Sequence, residues 1–313
     1  MRIVFMGTPD FAVPCLQMLL NEGFDVVGVV TQPDKPKGRG NKMTFPPVKE
    51  VALKNNIPVY QPTTLKDGSF ESVLNTLKID LIVVVAYGKI LPRTILTLPK
   101  HGCINVHASL LPKYRGAGPI QWSVLNGEQE TGITTMQMDV GLDTGDMLCQ
   151  SATPIGVYET AGQLHDRLSQ LGASTLLETL KMLQNGTLQP KTQEEAQATY
   201  APMLTKQLSP IDWEKDADTL SHLICGLNPW PVATTQMADN VFKVYQAQVV
   251  QCEKSQPAGT VLEHIKGQGL LVQAGKDALL IQEIQFEGKK RMHIEAYMRG
   301  KPIAIGTRLG ENI

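Results

Sequence analysis

The sequence predicts an α/β protein: a doubly wound, mostly parallel sheet in the first two-thirds, then a small β-barrel. Three observations carry this. Short apolar strands alternate with helical stretches as far as residue 186. One of them, DLIVVVAYG at 80–88, is a near-continuous β-branched run, as expected of a central strand covered on both faces. Past residue 207 the chain turns to short β-rich segments separated by glycines.

The elements follow in order. RIVFMG (2–7) is an apolar run ending at Gly7 and reads as a buried strand. A helix is expected from Phe11 to about Asn21, with Pro14 in its first turn, where a missing N–H is harmless. DVVGVVT (25–31) is a second strand, and KPKGRGNKMTFPPVK (35–49) a loop rich in Gly, Pro and Lys. VKEVALKNN (48–56) reads as helical and IPVYQP (57–62) as extended. After the central strand comes GCINVHAS (102–109), another strand. TGITTMQMD (131–139) alternates, GLDTGDML (141–148) turns, and LCQSATPI continues as a strand. Residues 159–186 have strong helical period and a Gly stop. Together these imply a Rossmann-like domain with a mostly parallel sheet.

After residue 186, KTQEEAQATYAPMLTKQLSPIDW is polar and reads as a linker. ADTLSHLICGL is a short helix and NPWP (228–231) a sharp turn. The barrel strands are expected at VFKVYQAQVV, GTVLEHI, GLLVQAG, ALLIQEIQF and KPIAIGTRLG. The expected organisation is a first domain over 1–187, a linker over 188–207 and a second domain over 208–313.

A length of 313 residues suits two domains, and 42% hydrophobic with 19% charged residues suits a globular core. The net charge of -1 means that any nucleic-acid site is a local patch. Five scattered cysteines without a Cys-x-x-Cys pair argue against a disulfide framework and structural zinc, and for a reducing compartment. The apolar start is too short for a signal-peptide core, and no window approaches the roughly 18 apolar residues of a membrane span. A soluble, intracellular protein with no membrane partner is expected, with a monomer as the default state.

GTPDFA follows the first strand where a dinucleotide fingerprint would lie. That turn needs G-x-G-x-x-G, and here Pro9 and Ala12 stand where glycines should. A plain strand-to-helix turn is the favoured reading. Asn105 and His107, at i and i+2 on a strand, share one face. At the carboxyl end of a sheet strand that face borders the crevice where such folds bind ligands. An amide and an imidazole there could bond a developing oxyanion, with His107 also moving a proton; alone, such a histidine is more often a packed one. Asp143, between Gly141 and Gly145, could orient His107 or accept a proton through water, or simply make an Asx-turn. Ser109 to Pro112 could wall a pocket for a flat ligand, and Arg115 could meet an anion.

Two basic segments stand out. Residues 35–49 hold Lys35, Lys37, Arg39, Lys42 and Lys49 with no acid. Residues 289–308 hold Lys289, Lys290, Arg291, Arg299, Lys301 and Arg308 against Glu295 alone. Such segments are usually just solvated, but one per domain also suits a long polyanion touching both. The remaining histidines (His101, His165, His222, His264, His293) have no partners at metal-ligand spacing, so no metal is expected.

Together these residues resemble the 10-formyltetrahydrofolate-dependent formyltransferases over nearly the whole chain, most closely the members that act on charged initiator tRNA. GCINVHASLLPKYRGAGPIQW and TGITTMQMDVGLDTGDM are the most specific parts. The resemblance implies a catalytic trio of Asn105, His107 and Asp143. It implies folate contacts at Ser109, Leu110, Leu111 and Pro112, and a folate-pocket wall along VVVAYGKILP, with Val85, Tyr87, Gly88 and Ile90. The basic loop carrying Arg39 resembles an insertion that wedges into the tRNA acceptor stem. NPWP opens an OB-like domain that also meets tRNA. The expected tRNA contacts are Lys35, Lys37, Arg39, Lys42, Lys289, Lys290 and Arg291. TKQLSPIDW departs from the family in lacking an acidic pair after Thr-Lys.

The implied reaction moves a formyl group from 10-formyltetrahydrofolate, a co-substrate, to the α-amino group of methionyl-initiator tRNA. An α-amino group of pKa roughly 7.7–8.0 keeps a useful neutral fraction near pH 7. Asn105 and protonated His107 would bind the oxyanion, and Asp143 would hold His107 charged and pass the amine proton through water. The alternative is formyl transfer from the same donor to a nucleotide-linked amino sugar, which would not need the basic loop. A glycinamide formyltransferase would lack the second domain. A non-catalytic RNA-binding protein sits badly with the intact trio, and a nicotinamide oxidoreductase with the broken glycine motif.

Overall fold

The computed structural model describes residues 1–37 and 42–310. The chain forms two compact units: Met1–Pro119, Thr131–Thr153 and His165–Ala201 in the first, and Ile120–Glu130, Pro154–Leu164 and Pro202–Ile313 in the second.

Seven strands build the sheet of the first unit: β1 (Arg2–Gly7), β2 (Asp25–Val30), β3 (Val59–Tyr60), β4 (Leu81–Val85), β5 (Cys103–His107), β6 (Glu130–Gln137) and β7 (Met147–Pro154). Their order is β7-β6-β5-β4-β1-β2-β3. β1 pairs in parallel with β2 and β4, β2 with β3, and β4 with β5, whereas β6 runs antiparallel to β5. The mostly parallel α/β expectation holds. β1 and β4 are continuous apolar runs because helices cover both faces; all five β4 residues are buried. The chain winds outward from β1 through β2 and β3, then returns to β4 on its other side. The switch point, where such sheets bind ligands, therefore lies between the carboxyl ends of β1 and β4. There Thr8 Oγ1 donates to the Tyr87 carbonyl at 3.2 Å.

Several elements were not foreseen. Helices at Ser69–Thr76, Arg93–Leu96 and Pro119–Leu125 are short, and Lys35–Lys37 pairs with Lys42–Thr44 as a hairpin where a loop was expected. The polar stretch after residue 186 belongs to the first unit as far as Ala201. Lys191 and Met147 exchange both backbone bonds at 2.8 Å. Tyr200–Ala201 lies parallel to Arg115–Gly116.

In the second unit the helix Ala217–Gly226 starts at Asp216, whose carboxylate accepts from the Thr219 N–H at 2.8 Å, an ordinary N-cap. Its buried Ala217, Leu220 and Ile224 join Trp213, Phe242, Val272, Ile281 and Phe286 in one core. The strands are β8 (Ala233–Met237), β9 (Asn240–Val250), β10 (Val261–Ile265), β11 (Gly269–Gln273), β12 (Ala278–Phe286) and β13 (Met292–His293). They form one antiparallel sheet in the order β8-β9-β12-β11-β10, with β13 beside β12. This is a separate antiparallel domain, but no pairing among the described residues joins β8 to β10, so a closed barrel is not what the strands make. KPIAIGTRLG is no strand: it bends and turns, and only Arg308 bridges to Thr260. Gly306, at φ +86°, breaks its extension, and Ile303 and Leu309 enter the core as single plugs.

Candidate active site

β5 ends at the carboxyl edge of the sheet, one strand from the switch point, with Asn105 opposite Val84 of β4. The alternation of a strand sends Ile104 and Val106 to one face and Asn105 and His107 to the other. Asp143 meets both of the latter. Asn105 Nδ2 donates to Asp143 Oδ1 at 3.4 Å, and His107 Nδ1 lies 3.7 Å from Asp143 Oδ2. On the ring's far side His107 Nε2 is 2.9 Å from the Tyr114 carbonyl oxygen. A carbonyl only accepts, so Nε2 carries a hydrogen and Nδ1 faces the carboxylate. The long contacts at Asp143 leave the amide N–H and Nδ1 within reach of a third atom.

Asp143 does not make the local Asx-turn. Asp139 does: its Oδ1 accepts from the Gly141 N–H at 3.0 Å and from Thr144 Oγ1 at 2.7 Å. Asp143 sits in the left-handed region at φ +55° and reaches out of its loop, where Oδ2 accepts from the Gly116 N–H at 2.9 Å. The 109–118 loop is held in turn. Thr134 Oγ1 donates to the Ser109 carbonyl at 2.7 Å and accepts from the Leu111 N–H at 3.0 Å. Arg115 takes no outside anion. It is 1% exposed, its Nη1 bonds Glu195 at 2.8 and 3.1 Å, and its Nε donates to Gln193 at 3.1 Å. A guanidinium this buried requires an internal partner, and Glu195 supplies it.

Of the expected folate contacts, Val85, Tyr87, Ser109 and Leu111 are buried. Leu110 and Pro112 are half-buried, and Gly88 and Ile90 exposed. Ser109 Oγ donates to the Lys113 carbonyl at 2.6 Å, while Leu111 packs with Met136 and Met147. The Tyr87 ring lies in the core among Val84, Leu91 and Ile95, where burial pushes its hydroxyl up to about 12. At the switch point Thr8 belongs to the GTPDFA turn, where a small-molecule contact stays open, whereas Gln32 carried no signal in sequence; Gln32 Nε2 donates to the Tyr87 carbonyl at 3.0 Å.

Among the expected tRNA contacts, Lys35 is exposed, and Arg39 and the side chains of Lys37 and Lys42 lie outside the described residues. Lys49 is engaged internally: Nζ bonds both Asp34 oxygens at 2.9 and 2.7 Å and stands 4.1 Å from the Phe45 ring centroid. Gln61 Nε2 donates to Asp34 at 2.8 Å. In the second unit Lys289 and Lys290 are exposed, and Arg291 bonds Glu283 through Nε at 2.6 Å beside the Tyr245 ring.

The Lys49 and Gln61 hydrogen bonds hold the Asp34 carboxyl below its usual value. Because the folded form is the stronger acid, its stabilisation is complete above an unfolded value of about 3.9 and drains as pH falls through the lower folded one. Asp34→Asn is therefore expected to lower Tm at pH 7 and to converge with the parent near pH 2. A Tm difference that is constant across a melting series from pH 7 to 2 would exclude this pair as the cause.

The described residues contain no His, Cys, Asp and Glu group able to hold a metal, and no helix long and apolar enough to cross a membrane.

A carboxylate shared by an amide and an imidazole, beside the switch point of a doubly wound sheet, suits acyl transfer. The chain belongs to the formyl transferase family: residues 1–180 match the formyl transferase model and 203–302 that of its C-terminal domain. Its relatives include the methionyl-tRNA formyltransferase of Alkaliphilus oremlandii, 54% identical over 311 residues, which are 99% of this chain and 100% of that protein. The protein of that name from Caldanaerobacter subterraneus subsp. tengcongensis is 53% identical over 310 residues, again 99% and 100%. Among solved structures, WlaRD, a sugar 3N-formyl transferase, superposes with a TM-score of 0.68 at 20% identity over 93% of this chain and 99% of that one, a likeness of fold.

Proposed function

We propose that this protein transfers the formyl group of 10-formyltetrahydrofolate to the α-amino group of methionyl-initiator tRNA, giving the formylmethionyl-tRNA used to begin translation. The observation that carries this is the 54% identity, end to end, with a methionyl-tRNA formyltransferase. In this reading residues 1–187 are the catalytic domain, 188–207 a linker and 208–313 an OB-like, tRNA-contacting domain, in a cytoplasmic monomer.

The geometry supports the following chemistry. The neutral amine attacks the formyl carbon, and the carbonyl oxygen becomes an oxyanion. Asn105 Nδ2 and the Nδ1–H of a His107 imidazolium donate to it, while Asp143 stabilises that charge. Asp143 passes the amine proton onward through water. The carbon–N10 bond then breaks and N10 takes up a proton, leaving tetrahydrofolate and a new amide. Ser109 to Pro112 and Val85 to Ile90 form the walls of the donor pocket, and Lys35, Lys37, Arg39, Lys42, Lys289, Lys290 and Arg291 meet tRNA phosphates.

The test is formyl transfer to methionine-charged initiator tRNA beside a nucleotide-linked amino sugar, at rising salt. Formylated tRNA is expected. Seven phosphate contacts would weaken tRNA binding by about 10³–10⁴ over a fourfold rise in salt, read as KM. Formylated sugar with inert tRNA would overturn the acceptor assignment, and a salt-independent KM would overturn the phosphate contacts.

A further inference from the structure

We infer that Gln193, in the polar stretch that follows the long helix, is a positioning residue for Asp143. The inference rests on the proposed role of Asp143. Gln193 is 8% exposed and its amide is fully used. Nε2 donates to the Asp143 carbonyl at 2.8 Å and to the Gly145 carbonyl at 2.7 Å. Oε1 accepts from Arg115 Nε at 3.1 Å. An amide has two N–H donors, and both go to carbonyls of the loop that presents Asp143.

The arrangement fixes Asp143 from two sides. Its backbone, held at φ +55°, is tied to Nε2 directly. Its carboxylate is tied to the Gly116 N–H, and Gly116 follows Arg115, whose guanidinium the same amide holds. Gln193 therefore sets the spacing between the Asp143 backbone and the group that binds its Oδ2, and with it where Oδ1 points toward Asn105. The segment carrying Gln193 is itself anchored at both ends. Lys191 is bonded to Met147, and Thr199 accepts from the Arg115 N–H at 2.8 Å through its carbonyl and from the Tyr114 N–H at 2.8 Å through Oγ1.

The donors and the acceptor of Gln193 can be separated. Gln193→Glu keeps an oxygen for Arg115 and loses both donors to the loop; Gln193→Ala loses everything. The experiment uses the full chain, 10-formyltetrahydrofolate and methionine-charged initiator tRNA, and reads kcat, both KM values and Tm for Gln193→Ala, Gln193→Glu, Asp143→Ala and the Asp143→Ala/Gln193→Glu double variant. Both Gln193 variants are expected to lose about tenfold in kcat, since a carboxylate displaced by a fraction of an ångström no longer meets its proton in line. Their KM values stay within about twofold, and Gln193→Glu melts below the parent, since a carboxylate oxygen replaces the donor to two carbonyls, but folds because Arg115 remains paired. The double variant is expected to be no slower than Asp143→Ala, because Gln193 acts only through that residue. Parental kcat in Gln193→Glu, or multiplied losses in the double variant, would overturn the inference. If Gln193→Ala fails to fold, Gln193→Glu and the double variant decide alone. Full activity of Asp143→Ala would instead sink the reading of the site on which the inference stands.

Discussion

His107→Ala is expected to lower kcat by about 10²–10³, or ~3–4 kcal/mol in the transition state, while both KM values change little. The oxyanion exists only after attack, so a donor aimed at it acts in the transition state and not in binding. The structure assigns the two ring nitrogens different work. Nε2 faces the Tyr114 carbonyl at 2.9 Å and anchors the ring, whereas Nδ1 faces Asp143. The alanine variant loses both, and loss of the 2.9 Å bond between Nε2 and the Tyr114 carbonyl adds a folding cost of about 0.5–1.5 kcal/mol. His107→Gln separates the two losses: its amide can still donate to Tyr114 but carries no charge for Asp143 to stabilise. It is expected to melt close to the parent and to be nearly as inactive as the alanine variant. Steady-state kinetics together with a melting curve read both. Recovery of full activity in His107→Ala by raising substrate alone would assign the residue to binding.

Legibility in the sequence tracks how local the physics is. The strand period of two put Asn105 and His107 on one face, and the β-branched run at 80–88 marked β4 as central; both patterns lie within a few residues. Asp143 was visible as an acid between glycines, but its partners Gly116 and Asn105 lie 27 and 38 positions away, beyond any local pattern. So the Asx-turn, which the structure gives to Asp139, stayed open for Asp143. Arg115 reads as an exposed cation in a basic loop, and only Glu195, 80 positions on, makes it a buried one. Lys49 reads as one more cation of a basic segment, and only Asp34, 15 positions back, makes it an internal partner. KPIAIGTRLG failed for the opposite reason. Its alternation is genuine, but Ile303 and Leu309 fill holes in a core and not a row beside a neighbouring strand. Polar composition hid the anchored segment 191–201, because its attachment to the first unit is by hydrogen bonds and not by apolar side chains.

Gly145→Ala is expected to cost about 10² in kcat and ~1–3 kcal/mol in stability, and the reason is backbone meeting backbone. A Cβ at Gly145 would lie 1.8 Å from the Gln137 carbonyl oxygen and 3.0 Å from its carbon, where real contacts essentially never fall below 3.0 Å. The loop must therefore retreat by more than an ångström, because Gln137 cannot. Gln137 pairs with Ile104 across β5 and β6, and its N–H donates to the Asp146 carbonyl at 2.8 Å. Retreat pulls the Gly145 carbonyl from Gln193 and carries Asp143 away from Asn105 and His107. Gly141→Ala is the matched control. Its Cβ would meet only the Thr144 side chain, the hydroxyl at 2.0 Å and Cβ and Cγ2 at 3.0 Å; the hydroxyl can rotate away at the expense of one bond to Asp139, and the carbons need to give by only a few tenths of an ångström. A methyl added two residues before Asp143 is thus expected to slow the enzyme far less than one added two residues after it. Comparing kcat and Tm for the two variants tests whether the placement of Asp143, and not loop composition in general, limits formyl transfer; equal losses in both would refute that placement as the limiting factor.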